Sequence, residues 1–176
     1  IEAFATHVWT INDKLSLHDG LRLGYATTYS SVLDTEVFPF FGGKSQRKNN
    51  LTYSASLGLN YLPSKTWKVA FSASTAYRVP NIDNTSKVFD SKVNTVTIPN
   101  ADLRPEKTVS VDLNITKHIG DRLAWENVLF GTYYFDAITT GRGTFFGSPQ
   151  MEYQGEMCDV YTQTNAKAAV LWGFSS

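Results

Sequence analysis

Hydrophobic and polar residues alternate with a period of two along most of the chain, and no long stretch carries helical spacing. The clearest run is 107–118. There Val109, Val111, Leu113 and Ile115 fall on one face, and Ser110, Asp112, Asn114 and Thr116 on the other. Residues 51–61 repeat the pattern, with Leu51, Tyr53, Ala55, Leu57, Leu59 and Tyr61 opposing Thr52, Ser54, Ser56, Gly58 and Asn60. In 67–79 one face carries Trp67, Val69, Phe71, Ala73, Thr75, Tyr77 and Val79, and the opposite face carries Lys68, Ala70, Ser72, Ser74, Ala76 and Arg78. Successive side chains of a strand point to opposite sides, so each run predicts a strand with one apolar and one polar face. About seven strands follow: 1–12, 15–33, 51–62, 67–79, 107–118, 123–135 and 160–174. The first fits either phase. Asp19 falls on the apolar phase of the second, which calls for a bulge or a place near a membrane surface, and Leu171 falls on the polar phase of the last.

The polar faces are rich in small hydroxyls and amides rather than the Lys/Glu mixture of a solvent-washed sheet, as a face lining an enclosed wet cavity would be. Tyr or Trp sits near the strand ends, at Tyr53 and Tyr61, Trp67 and Tyr77, Trp125 and Tyr133. Such amphipathic rings form girdles at the two interfaces of a membrane barrel. Connections alternate in length. Short turns at 12–14, 63–66 and 120–122 are separated by long polar loops at 34–50, 80–106 and 136–159. Compact soluble domains seldom carry a long loop at every second connection, whereas outer-membrane barrels pair tight periplasmic turns with long external loops. The expected fold is therefore all-β, an antiparallel transmembrane β-barrel. Several strands exceed the roughly 9–11 residues that cross a bilayer, so they would project beyond it.

Seven is an odd count and a small one, because single-chain bacterial barrels have even strand numbers from eight upward. An open sheet in lipid would also leave backbone groups unpaired at both edges, each costing several kcal/mol. Residues 1–176 are accordingly expected to be a partial barrel domain, with the remaining strands in the rest of a longer chain. Residues 1–12 lack the basic and apolar blocks of a signal peptide, so either a signal was removed or the true N-terminus lies upstream; the second is expected, because the first residues read as mid-strand.

Charge and composition narrow the function. Sixteen basic and sixteen acidic side chains give a net charge of zero, which argues against nucleic acid as a partner. The single cysteine, Cys158, forms no internal disulfide and no cysteine-based zinc site. No nucleophile–base pair, metal motif or Gly-rich phosphate loop stands out, so no enzyme, catalytic residue, metal or cofactor is expected.

Two motifs carry a family resemblance. Tyr77-Arg78-Val79-Pro80-Asn81 closes one strand, and Pro99-Asn100-Ala101-Asp102-Leu103-Arg104-Pro105-Glu106 opens the next. The pair resembles the aromatic-Arg-x-Pro-Asn and Pro-Asn-x-x-Leu-x-Pro-Glu signatures of TonB-dependent outer-membrane receptors. Ile11 to Leu15 followed by Gly20-Leu21-Arg22 resembles a hairpin common in the same barrels, and Val88-Phe89-Asp90-Ser91 is similar to receptors of Bacteroidetes type. The resemblance implies a barrel of about 22 strands closed by a plug domain. It also implies TonB-energised import of a large scarce nutrient, such as an iron-siderophore, haem, cobalamin or a glycan. The expected partners are outer-membrane lipid, the remaining strands and plug of the parent protein, TonB through a missing N-terminal region, and, as a candidate, a surface lipoprotein.

The motif also has a physical reading. Pro80 has no N–H and stops ladder pairing. Arg78 lies on the polar phase with Glu106 and Asp112, and is expected to pair with one of them and pin the base of the loop. Tyr77, Arg78, Pro80, Asn81, Asn100, Leu103, Pro105 and Glu106 are thus the candidate anchoring residues. Phe145, Phe146 and Tyr153, with Met151, lie in the third long loop, and the three aromatics are candidate ligand or partner contacts. Haem-type receptors often carry a His between the two boxes, and 82–98 has none, so haem is not favoured; His7, His18 and His118 read as structural or solvated. Asp83, Asn84, Asp90, Asn94, Asn100 and Asp102 could supply oxygens to calcium but lack EF-hand spacing, and turn chemistry explains them better. Lys44, Arg47 and Lys48 read as a solvated loop cluster, with anionic headgroups or substrate as the alternative. Two other functions remain open on sequence: a porin or adhesin barrel, and a soluble β-sandwich binding carbohydrate or protein.

Overall fold

A computed structural model describes residues 1–30 and 46–176. Seven long strands form the wall: β1 (Glu2–Asn12), β2 (Leu15–Ser30), β3 (Gln46–Ser64), β4 (Trp67–Arg78), β7 (Glu106–Ile119), β8 (Leu123–Arg142) and β10 (Glu156–Ser175). Each pairs antiparallel with its neighbour in the order β1-β2-β3-β4-β7-β8-β10. The short elements α1 (Ile82–Ser86), β5 (Phe89–Lys92), β6 (Thr95–Ile98) and β9 (Gln150–Tyr153) all lie at the end of the sheet opposite the tight turns.

Register assigns the faces. Leu17, Asp19, Leu21, Leu23 and Tyr25 of β2 stand beside Leu59, Leu57, Ala55, Tyr53 and Leu51 of β3. The same side continues through Phe71, Leu113 and Leu129, and reaches Val170, Trp172 and Phe174 in β10. Burial on this side is inverted relative to a soluble protein. Leu21, Leu23 and Leu51 are 65%, 62% and 74% exposed, while the fully buried large side chains are Val96 and Val160, both in the loop region. Apolar area gains about 25 cal/mol per Å² when water is removed from it. A continuous exposed apolar band of this kind calls for hydrocarbon against it. Among the described residues no second sheet covers Val109 and Val111, which are 39% and 41% exposed, and the β-sandwich reading is set aside.

The opposite face is wet and bonded to itself. The Ser72 hydroxyl donates to Asp112 at 3.1 Å, Ser110 and Thr132 share a hydrogen bond of 2.9 Å, and Asn114 donates to Glu126. For β1 the register assigns the phase without a clean contrast: Ala3, Ala5, His7 and Trp9 stand with the apolar side of β2, and Glu2, Phe4, Thr6 and Val8 with the polar side. Asp19 sits in regular ladder; the irregularity in this hairpin lies between Thr10 and Asn12. Its oxygen is 3.4 Å from His7 Nδ1 across the strands, and His7 stands edge-on to Trp9, with centroids 4.9 Å apart. The pair lies next to Trp9 on the tight-turn side of the hairpin, which fits the membrane-surface explanation. Leu171 opposes Thr132 on the polar side, as its phase implied.

Three strands run further than their hydrophobic pattern: β3 begins at Gln46, β8 continues to Arg142 and β10 begins at Glu156. The expected loop at 136–159 is correspondingly short, because β8, β9 and β10 fill much of it. The end of the second predicted strand and most of the loop at 34–50, with Lys44, lie outside the described residues; Arg47 and Lys48 belong to β3.

Candidate functional site

The segment 79–105 arches from β4 past β7 and β8 to reach β10. β4 ends at Arg78, and two residues later Pro80, which is buried, excludes a further ladder bond. Asn81 then caps α1. Its side chain accepts from Asn84 N–H at 3.0 Å, and Asn84 Oδ1 accepts from Asn81 N–H at 3.1 Å, a reciprocal cap that satisfies orphan donors at the first turn. Asn84 is buried, and its amide donates to Gln163 Oε1 of β10. β6 adds to β10 in parallel, Thr95–Ile98 against Asp159–Thr162. This pairing encloses a small apolar core of Val88, Val96, Ile98, Cys158 and Val160, against which Phe145, Met151 and Tyr153 pack.

The return arm is pinned residue by residue. Asn100 Nδ2 donates to the Gln163 carbonyl at 2.9 Å, and Asn100 Oδ1 accepts from Asp102 N–H at 2.9 Å. Leu103 is 3% exposed, and its carbonyl accepts from Lys48 Nζ at 3.0 Å. Asn165 of β10 accepts from Arg104 N–H at 2.8 Å and donates to the carbonyls of Arg104 and Asp136 at 3.0 and 2.7 Å. The Arg104 guanidinium is 2.5 Å from Asp136 Oδ1. Asp136 adopts φ 52°, a left-handed conformation that a non-glycine residue seldom takes, at the point where β8 leaves β7.

At the base, Arg78 Nη2 lies 3.3 Å from Glu106 Oε2, and the same oxygen accepts from Ile138 N–H at 2.7 Å. The Glu106 side chain is 13% exposed and that of Arg78 is 52% exposed. Of the two carboxylates on Arg78's phase, Glu106 makes the contact, while Asp112 is held by Ser72. Tyr77 sends its hydroxyl to Glu2 Oε1 at 3.0 Å.

Tyr77, Arg78, Asn81, Asn100, Leu103 and Glu106 are thus each fixed by a named contact, while Pro80 and Pro105 sit at the two ends of the arch. The loop aromatics separate: Phe145 and Tyr153 pack on the small core, whereas Phe146 is 87% exposed. Phe146 occupies the first central position of a tight turn, with φ 47° followed by Gly147 at φ 85°. Sequence reasoning missed Asp136, Gln163 and Asn165. The latter two lie on the polar phase of β10, and nothing local distinguishes them from other wall amides. Among the described residues, no three His, Cys, Asp or Glu side chains gather where they could hold a metal ion.

A single sheet with a hydrocarbon-facing side, a wet side, tight turns at one end and a structured arch at the other defines a piece of outer-membrane barrel wall. Residues 2–175 match the family model described as TonB dependent receptor-like, beta-barrel, and the chain belongs to that family. Its place is the bacterial outer membrane. The siderophore receptor PirA from Pseudomonas aeruginosa superposes with a TM-score of 0.71 at 17% identity, over 98% of this chain and 29% of that one. The copper transporter OprC gives 0.70 at 16% identity, covering 98% and 24%. The Serratia marcescens hemophore receptor HasR, solved with its hemophore HasA and heme, gives 0.68 at 13% identity, covering 98% and 30%. The chain therefore spans less than a third of these structures. No protein of curated function matches it.

Proposed function

We propose that this wall belongs to a receptor that imports a large scarce nutrient across the outer membrane, energised by TonB, and that it acts as a transporter rather than an enzyme. The observation that carries this reading is the arch 79–105, built as a bonded plate and tied to β10 and β8 by Gln163, Asn165 and Asp136. A receptor that must admit a bulky ligand from outside needs such a positioned loop at its mouth. Structural neighbours named as siderophore, hemophore and copper receptors support the transport class. An iron-siderophore, cobalamin or a glycan is the cargo class proposed here.

In this reading Tyr77, Arg78, Pro80, Asn81, Asn100, Leu103, Pro105 and Glu106 anchor the arch. Phe146 presents its ring to ligand or partner, and Phe145 and Tyr153 hold the hairpins behind it. The plug, the remaining strands, the TonB contact and a surface lipoprotein are partners of the parent protein. The test is uptake by cells carrying the full-length receptor gene, in strains with and without TonB, challenged with a ferric siderophore, cobalamin or an oligosaccharide. Accumulation of one of them that stops without TonB supports the proposal. Solute flux that persists unchanged without TonB assigns a porin instead.

A further inference from the structure

The wall is weakly joined between the upper parts of β3 and β4. Their ladder rises from Tyr61↔Val69 to Ser56↔Ser74 and goes no higher, although β3 extends to Gln46 and β4 to Arg78. β2 stays paired with β3 as far as Ser30↔Gln46, and β7 with β4 as far as Arg78↔Glu106, so the parting lies between two intact sheets. Just above it the Thr75 hydroxyl takes the place of a ladder pair. It accepts from Ala55 N–H at 2.9 Å and donates to the Ala55 carbonyl at 3.5 Å. Higher still, the Tyr77 hydroxyl reaches Glu2, on the polar side of β1, at 3.0 Å. It passes Gly24 so closely that a Cβ there would stand 3.2 Å from it and 2.5 Å from Thr52 Oγ1, an approach that glycine meets.

Two clefts meet at this parting from opposite sides. The outer one, about 370 Å³, is lined by Tyr53, Thr75, Val109 and Phe135 among others. The inner one, about 220 Å³, is lined by Phe4, Arg22, Ser54, Ser74 and Thr75 among others. Thr75 belongs to both linings, and at its level its hydroxyl joins β3 to β4 where a ladder closes the wall lower down. Both linings suit an apolar occupant. The outer cleft presents two rings and a valine on the hydrocarbon side. At the inner cleft Phe4 stands on the polar side of β1 and is 73% exposed, and an aromatic ring on a wet face calls for something apolar against it. Thr75 stands eight residues along β4 from Trp67 at the tight turn. With about 3.3 Å per residue and a tilt of roughly 40°, that is about 20 Å above the turn, in the outer half of an apolar band about 25 Å tall.

We propose that the parting is a side portal in the wall, through which an acyl chain passes between the outer leaflet and the lumen. Release of the two Thr75 bonds joins the clefts. For the import function proposed above, on which this role rests, the portal admits an amphiphilic cargo. Its polar head enters at the mouth and meets Arg22 and the serine hydroxyls, while its tail trails through the portal. A tail kept in hydrocarbon is spared the cost of crossing water.

The test is photolabelling of the full-length receptor in phosphatidylcholine vesicles that include phosphatidylcholine with a diazirine in one acyl chain, the labels being mapped by mass spectrometry of peptides. Labels at Val109 and Phe135 are expected from the lipid-facing side, and labels at Phe4 and Ser54 from the lumen. Ala55→Cys combined with Thr75→Cys, once oxidised, ties β3 to β4; the lumen labels are lost, and reduction restores them. Ser54→Trp fills the inner cleft without a disulfide and loses the Phe4 label. Labels at Val109 and Phe135 persist in both variants, which shows the wall intact. Loss of lumen labels in either variant supports the portal. A wild-type receptor without lumen labels, or lumen labels that persist in both variants, overturns it. The labelling needs neither TonB nor cargo, so its failure leaves the import function to be judged by uptake.

Discussion

Glu106→Ala tests the anchoring of the arch most directly. The Glu106 carboxylate is largely shielded and serves two donors, the Arg78 guanidinium at 3.3 Å and Ile138 N–H at 2.7 Å. The two are unequal. A hydrogen bond to a charged acceptor contributes about 1.5–3 kcal/mol, and the Ile138 bond is short and part-buried. The Arg78 contact is longer and involves a side chain half in solvent, so it falls in the range of about 0–1 kcal/mol typical of exposed pairs. Truncating Glu106 should therefore cost about 2–3 kcal/mol locally, most of it at the orphaned Ile138 amide. Arg78→Ala should cost less than about 1 kcal/mol. Hydrogen–deuterium exchange of the full-length receptor reads this at one amide. A loss of about 2 kcal/mol speeds exchange at Ile138 roughly 30-fold if opening is local. Glu106→Gln, which keeps a neutral acceptor, should fall between. The reasoning fails if Arg78→Ala accelerates Ile138 as much as Glu106→Ala, or if Glu106→Ala leaves that amide protected.

Three further expectations follow from other contacts. Phe146→Asn relieves a left-handed strain of about 1 kcal/mol or more, so the 145–148 turn should resist limited proteolysis longer, while ligand uptake falls if the ring is a contact. His7→Leu leaves Asp19 without its neighbour on the lipid-facing side near the membrane surface and should lower the receptor's unfolding free energy, read by urea titration in lipid vesicles, by about 1 kcal/mol. The double variant with Asp19→Leu should recover it or exceed wild type. Asn165→Ala removes three bonds to the arch and its support, and should expose 99–105 to protease without altering the exchange of β2 and β3 amides.

The wall was legible because strands such as β7 alternate at nearly every position, so phase survives without any tertiary information. Boundaries were less so. Gln46 to Asn50 and Thr139 to Arg142 are strand in fact, but both faces there are polar, and an alternation without contrast leaves no signal. The arch was invisible for a different reason. α1 is a single turn held by Asn81 and Asn84, and in a bare sequence those asparagines look like ordinary turn residues. β6 is only four residues long and finds its partner 64 positions away, in parallel. The contact of Arg78 with a carboxylate could be read from phase alone, but the choice of Glu106 over Asp112 follows from the β4–β7 register, which sets Glu106 opposite Arg78 and Asp112 opposite Ser72 further down the strand.

The parallel junction of β6 with β10 also sets an order of assembly. Residues 95–98 emerge before 159–162, and the β7–β8 hairpin lies between them in the chain. Their union closes a long loop, and such distant pairings come late because chain entropy must be spent before any bond forms. The mouth is thus the last part to be completed. Until β10 has docked along β8, the forerunner of the arch has nowhere to rest, and a nascent wall presents an unfinished entrance.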